Sequence, residues 1–455
     1  MRTLLATLLV MSTAGPLLAQ APLVLTLDDA LRRAEASSES MTIAGAGQSR
    51  AHADLGRVDS QRYPQISFAG TYDRTIASEF SGVFDNNGSD SDTGSTDFSN
   101  LPFGQANAYR FSFSLTHSLY TAGRTTAQLD QAAAGIRSAE LGTAAARAVL
   151  QLNVTRAYYD AALSDRLLAI ALSGYEQADA AYQLTKQSYD AGRLPEFEVL
   201  RAQVQRDNQR PTTIRARANR DTAYLRLRQF LDLPTEVPLQ LDVDLEAATL
   251  ATPGPFAAAL DDVQQSTAVA FRAAIEQAQL AVRIRELGVA IVDSAKKPTV
   301  NLVSSYGLTN YPKALYPDLG KLRNNWTVGV QVTMPVFRGF LMRHEERAAR
   351  ADVTEAEARL KQAREFGQLQ RTTALQDLDA ARAAWDATAG TIAQATRAYE
   401  IAELRFREGI STQLELSDSR LALQSAQANR AQAARDLQLA RARVALLPNL
   451  PIGGN

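Results

Sequence analysis

Two stretches decide how this chain folds: Tyr109-Arg-Phe111-Ser-Phe113-Ser-Leu115-Thr116 and Trp326-Thr-Val328-Gly-Val330-Gln-Val332-Thr-Met334. In each, every second residue is large and apolar and those between are mostly small or polar, the period of a β-strand with two unlike faces. Ile66, Phe68 and Tyr72, then Val300, Leu302, Tyr306 and Leu308, keep the same rhythm more loosely. Each stretch covers about 10 residues, the length that crosses a bilayer when the strand is tilted. One such strand alone reads better as part of a half-buried sheet in a periplasmic protein. Four of them, each beside a very long helix, favour a membrane sheet.

The chain repeats itself. Ser60-Gln-Arg-Tyr63-Pro64-Gln-Ile66 matches Ser294-Ala-Lys-Lys297-Pro298-Thr-Val300 at an offset of 234. Leu119-Tyr120 then matches Val336-Phe337, and Tyr182, Tyr189, Gly192 and Glu198 match Tyr399, Phe406, Gly409 and Glu415, all at an offset of 217. The first copy therefore carries 17 extra residues, the difference between 234 and 217, in a Gly, Ser, Asn and Asp-rich loop from Glu79 to Ala106. That loop holds Glu79, Asp85, Asp90, Asp92 and Asp97, and it is expected to face outside as a long solvated loop. Each copy reads helix, strand, strand, helix, helix. The expected organisation is a first repeat over 20–233, a proline-rich linker over 234–255, a second repeat over 256–447 and a tail over 448–455.

No proline occurs between Gly123 and Leu194 or between Val336 and Leu447. A continuous helix from Gly123 to Tyr189 is about 100 Å long at 1.5 Å per residue. Ala178, Tyr182, Thr185 and Tyr189 are spaced four, three, four, and Ala395, Tyr399, Ala402 and Phe406 repeat that spacing, which marks a coiled-coil seam. Pro211 interrupts the helical pattern from Pro195 to Leu231, and a kink or break is expected there.

Arg2, the apolar run through Met11 and Leu17-Leu18-Ala19 read as a secretory signal peptide over 1–19. Beyond it there is no apolar run of about 18 residues, the least a membrane helix needs. Cysteine is absent, so an exported chain has no disulfide framework and no lipid-anchor acceptor. Without Arg2 there are 47 basic against 49 acidic residues, a net charge of −2 that gives no bulk attraction to nucleic acid. The three histidines, His52, His117 and His344, lie far apart, and no zinc spacing, phosphate loop or nucleophile elbow occurs. No enzyme, cofactor or metal site is expected.

Four strands are too few for a closed barrel, and open strand edges are not tolerated in lipid, so the chain is expected to oligomerise. Arg110, Ser112, Ser114, Thr327 and Gln331 alternate with the apolar residues and suit a water-filled interior. Here the residues resemble a family. Leu25-Thr-Leu-Asp-Asp-Ala-Leu31, Asn153-Val-Thr-Arg-Ala-Tyr158-Tyr159, Pro335-Val-Phe337-Arg-Gly339 and the paired turns at Gly192 and Gly409 resemble the TolC-type outer-membrane efflux proteins over essentially the whole mature chain.

The resemblance implies an internally duplicated α+β membrane protein: a homotrimer with a shared 12-stranded β-barrel, four strands per subunit, and a long α-helical barrel in the periplasm. The linker would lie in an equatorial band. It implies a passive exit duct for efflux or type I secretion, working with a periplasmic adaptor and an inner-membrane pump and seated in outer-membrane lipid. A soluble periplasmic coiled-coil adaptor or scaffold is the alternative, and it has no use for spanning strands.

The resemblance also points to residues. Gly192 and Gly409 would form the helix-turn tip where the tunnel closes. Glu415 and Asp418 align with an acidic ring at the tunnel entrance, and their i, i+3 spacing puts them on one helix face. Thr412-x-x-Glu415 is equally a capping box, and Asp418 an ordinary solvated charge. Where the family has an arginine and a tyrosine that lock the closed state, this chain has Ser411 and Phe406, while the acidic partner is retained as Glu198.

Overall fold

A computed structural model describes residues 23–77, 105–245, 250–265, 272–312 and 314–452. The signal-peptide segment and the acidic residues of the long loop lie outside these residues. The first half runs β1 (Leu23–Leu25), α1 (Leu27–Ser37), α2 (Glu39–Asp59), β2 (Gln65–Arg74), β3 (Asn107–Tyr120), α3 (Arg124–Asp190) and α4 (Glu196–Phe230). The second follows with β4 (Leu239–Leu241), α5 (Gly254–Gln265), α6 (Ala273–Ser294), β5 (Thr299–Asn310), β6 (Arg323–Thr333), α7 (Leu341–Ala387), α8 (Thr391–Arg407) and α9 (Gln413–Leu446). Among the described residues no helix is long and apolar enough to cross a membrane.

The repeats and the compact units do not coincide. One unit draws on Met1–Ile43, Ala144–Ala273 and Phe366–Asn455, the other on Ala44–Thr143 and Ala274–Glu365, so each repeat contributes to both.

The first unit is built around a core of small and aliphatic residues, among them Ala30, Val154, Leu227, Leu231, Ala434, Leu437 and Val444. Alanine at these sites lets helix backbones approach closely while long neighbours fill the gaps. Thr26 caps α1 by accepting from the Asp29 amide at 3.2 Å. β1 and β4 pair in parallel, and the buried Tyr158 hydroxyl donates to Leu25 O (3.1 Å) and Asp242 O (3.2 Å) at the end of that ribbon. Arg272, 4 % exposed, donates to Leu447 O, Leu450 O and Gly367 O (3.2 Å each) and to Gln370 Oε1 (2.7 Å). It ties the chain after α9 to α7, and burial holds its pKa below the usual arginine range.

Two features differ from the sequence reading. α4 passes through Pro211 without a break. Pro211 is exposed, so water can serve the carbonyl that loses its helical partner, and the intact turns on either side carry the helix through. The proline-free run of the second repeat is instead interrupted at Thr388–Gly390, between α7 and α8. There the buried Arg430 of α9 stacks on Trp385 and donates to Trp385 O and to Thr388 Oγ1 (3.1 Å). A guanidinium thus takes carbonyl and hydroxyl oxygens at the end of α7, where a helix leaves its last carbonyls unserved.

The second unit contains an antiparallel sheet in the order β2-β3-β5-β6. Among the described residues β2 and β6 are its free edges, and every residue of both is exposed.

Candidate functional site

The sheet has two unlike faces. The register pairs Phe68 with Phe113, Phe113 with Tyr306 and Tyr306 with Trp326; one rung along, it joins Ile66, Leu115, Ser304 and Val328. Aromatic and branched side chains therefore cover one side. Phe68 lies against Phe113 with ring centres 4.9 Å apart, and the Phe111 ring lies over Gly70, where a Cβ would sit 3.2 Å from it. Glycine at position 70 makes room for that ring.

The opposite face joins Ser67, Ser114, Ser305 and Thr327 on one rung and Thr71, Arg110 and Thr309 on another. Ser67 and Ser114 share a hydrogen bond of 2.7 Å, and Arg110 pairs with Asp73. All five residues expected to face water, Arg110, Ser112, Ser114, Thr327 and Gln331, fall on this side. His117, opposite Leu302, is on the apolar side.

The two helix turns of the first unit are duplicates in geometry as well as in sequence. Gly192 has φ +72° and Gly409 φ +74°. After α3, the Gly192 amide donates to Tyr189 O (2.7 Å) and Arg193 to Ser188 O (2.8 Å). After α8, Gly409 donates to Phe406 O (3.0 Å) and Ile410 to Arg405 O (2.8 Å), the same bonds 217 residues on. Such bonds close a helix on a left-handed residue, a conformation glycine adopts without steric cost. Pro195 precedes α4 as its N-cap and Thr412 caps α9, so the proline sits one position earlier than the first helical residue. In the seam above the turns, Ala178, Thr185 and Ala402 are buried, while Tyr189 at its end is exposed.

Each expected site residue can now be placed. Glu415 has its amide capped by Thr412 Oγ1 at 3.4 Å, but its carboxylate reaches Arg405 Nη1 at 2.9 Å. The capping box is therefore half formed, with the acid turned to the last turn of α8. Asp418 is exposed and makes no ion pair among the described residues. Glu198 lies against Gln413, which is 4 % exposed. With its amide nitrogen turned toward Glu198, Gln413 donates to Glu198 Oε2 and Glu198 O and accepts from the Ala202 amide, each at 3.1 Å. Phe406, half-buried, lines a groove of about 340 Å³ with Tyr399, Leu184 and Leu416.

Gln413 and Arg405 escaped the sequence reading. So did Arg420, a buried guanidinium near Tyr399 whose Nε has no partner among the described residues and whose pKa burial pushes down. Gln413 stands beside a recognised cap, and that adjacency was the one available signal. Among the described residues no group of His, Asp and Glu is arranged to hold a metal ion.

An open antiparallel sheet, greasy on one side and polar on the other, joined to long helices that end in twinned glycine turns, defines a subunit of a shared barrel with helical extensions. The chain belongs to the outer membrane efflux protein family, whose pattern matches residues 30–232 and 265–449. Among curated proteins, it is 29% identical over 266 residues to Protein CyaE of Bordetella pertussis, covering 56% of this chain and 55% of that one. That match spans about half the relative's length. Among solved structures, the Campylobacter jejuni CmeC outer membrane channel superposes with a TM-score of 0.77 at 16% identity, over 94% of this chain and 87% of that one. The Vibrio cholerae outer membrane protein VceC gives 0.73 at 17%, over 93% and 96%. At such identities the likeness is one of fold.

Proposed function

We propose that this chain is one subunit of a passive, homotrimeric outer-membrane exit duct, serving a tripartite efflux or type I secretion system and gated at its periplasmic helical tip. The observation that carries the reading is the sheet: four strands of spanning length, one apolar face, one polar face, and two unpaired edges. In lipid each unpaired backbone group costs several kcal/mol, so β2 and β6 require partners from other copies. Antiparallel order makes β6 of one copy and β2 of the next run in opposite senses, and three copies supply 12 strands, wide enough for a lumen. The polar face then lines water and the apolar face meets outer-membrane lipid.

A periplasmic adaptor and an inner-membrane pump would complete the pathway. Gly192 and Gly409 form the tip turns, Glu415 and Asp418 give the entrance its negative charge, and Glu198 and Phe406 contribute to closure. A soluble adaptor or scaffold leaves the two-faced sheet without a purpose.

The test is single-channel conductance of detergent-extracted protein in a planar bilayer, with multivalent cations added on the helical-tip side. Discrete conductance blocked by cations, with block lost in Glu415→Ala/Asp418→Ala, is the expected result. Block that persists in the double variant removes these residues from the entrance. Recovery of the protein from membranes without detergent would overturn the duct itself.

A further inference from the structure

At each strand-to-helix turn two successive residues take the left-handed conformation. In the first repeat these are Ala122 (φ 56°) and Gly123 (φ 86°); in the second, 217 positions on, Gly339 (φ 60°) and Phe340 (φ 64°). Phe340 thus stands where its twin has glycine, and it also occupies the N-cap of α7, its carbonyl accepting from the Arg343 amide at 3.0 Å. A phenylalanine breaks two local rules there: bulky residues avoid positive φ, and its side chain cannot cap a helix. The fold gains no burial in return, since Phe340 is 62% exposed and its edge-on neighbour Phe337 is 72% exposed. A strained residue retained without packing benefit to its own chain points to a task outside the chain.

The surroundings indicate the task. The register sets Gln65 opposite Thr116, Tyr120 opposite Val300 and Thr299 opposite Thr333, so all four strands meet their helices at one end of the sheet. Four cations stand at these junctions: Arg124, Lys297, Arg338 and Arg343. All are exposed, and none has an ion pair among the described residues. Nearby Arg62 and Lys296 are by contrast paired, with Asp59 (3.3 Å) and with Asp293 and Glu346 (2.7 and 2.6 Å). Glu345 is the exposed carboxylate in this stretch.

We infer that the Phe337–Phe340 turn and its unpaired cations form an interfacial anchor that binds anionic phospholipid headgroups at the helical end of the sheet. Aromatic rings suit the depth of the headgroups, and cations suit their phosphates. The inference rests on the sheet lying in a bilayer. Each cation near an anionic surface contributes about 1 kcal/mol, roughly fivefold in lipid concentration.

The experiment is thermal unfolding of the full chain in nonionic detergent, titrated with phosphatidylglycerol, phosphatidylcholine or inorganic phosphate. Phosphatidylglycerol alone should raise Tm, and Arg338→Ala/Arg343→Ala should need about 25-fold more of it. Phe340→Gly should match or exceed the wild-type Tm without lipid yet need several-fold more phosphatidylglycerol. Equal effects of phosphatidylglycerol and phosphatidylcholine would overturn the proposal, as would an equal effect of phosphate. A lower lipid-free Tm in Phe340→Gly would make the ring a packing residue instead. Failure of the bilayer reading shows separately, as protein that stays dispersed with no detergent at all.

Discussion

Arg405 changes what the proposed acidic entrance should do. Its guanidinium sits 2.9 Å from Glu415, with the two side chains 47% and 43% exposed. An exposed pair of this kind contributes only about 0.2–1 kcal/mol to stability, so Arg405→Gln should fold normally. Its effect on charge is larger. In a trimer Glu415 and Asp418 bring six negative charges, and three arginines reduce the net to −3. A divalent ion about 8 Å from each charge feels about 1 kcal/mol per charge in water, and roughly half that after screening at 0.1 M salt. Three charges then amount to about 1.4 kcal/mol, close to tenfold in blocking concentration. Arg405→Gln should therefore tighten divalent block about tenfold, while Asp418→Asn and Glu415→Gln should each weaken it by a similar factor. The double variant Arg405→Gln/Glu415→Gln restores the wild-type net charge and should block like wild type within about threefold. Single-channel titrations at 0.1 M and 1 M salt read all four, and the differences should collapse at the higher salt. Wild-type block in Arg405→Gln would refute the charge argument, whatever Asp418 does.

Arg272→Ala orphans three backbone carbonyls and should lower stability by about 3–5 kcal/mol, read as a fall in thermal midpoint; a loss under about 1 kcal/mol would mean water replaces the guanidinium. Gln413→Ala and Glu198→Ala should be strongly non-additive, with a coupling of about 1 kcal/mol or more in a double-mutant cycle; simple additivity would break the contact. Gly409→Ala meets no neighbour within 4 Å, so its cost should be purely conformational, about 1 kcal/mol, and equal to that of Gly192→Ala within experimental error. Lys296 holds the Glu346 carboxyl below its usual pKa of 4.5. That contribution is fully present above about pH 4.5 and lost as pH falls through the lower folded value, and Lys296→Met should flatten this acid limb of the stability profile.

How much the sequence disclosed depended on the range of the interaction. Strand period and the two faces could be read because alternation at Tyr109–Thr116 and Trp326–Met334 assigns each residue to one side of the sheet or the other. The turns at Gly192 and Gly409 could be read because only a left-handed position makes glycine valuable there. Gln413 could not, since its amide has a role only once the first turns of α4 and α9 lie side by side. Nor could Arg405, whose partner Glu415 comes within reach only once the turn brings α9 back along α8. Pro211 misled in the other direction, because a long helix at an exposed site absorbs one missing hydrogen bond. Nothing local announced the break at Thr388–Gly390, where the partner, Arg430, is 45 residues from Trp385 in sequence.

Twin backbones at the two turns would give a trimer six nearly equivalent helix tips. The side chains reduce that symmetry to threefold. The counterparts of Glu415 and Asp418 in the first repeat, 217 positions earlier, are Glu198 and Arg201, a net charge of zero. By these residues three of the six tips carry net negative charge and three carry none. Within the acidic tips Glu415 is answered by Arg405 and, across the turns, Glu198 is held by Gln413. Asp418 is exposed and without an ion pair among the described residues, as are Asp190, Glu196 and Glu408 beside the turns, so of the two aligned carboxylates Asp418 is the one whose charge is unanswered. Moving an arginine to that position, Asp418→Arg, changes the ring from −3 to +3 and should convert cation block into anion block. If the reversed ring still admits and is blocked by cations, the entrance does not lie at these turns.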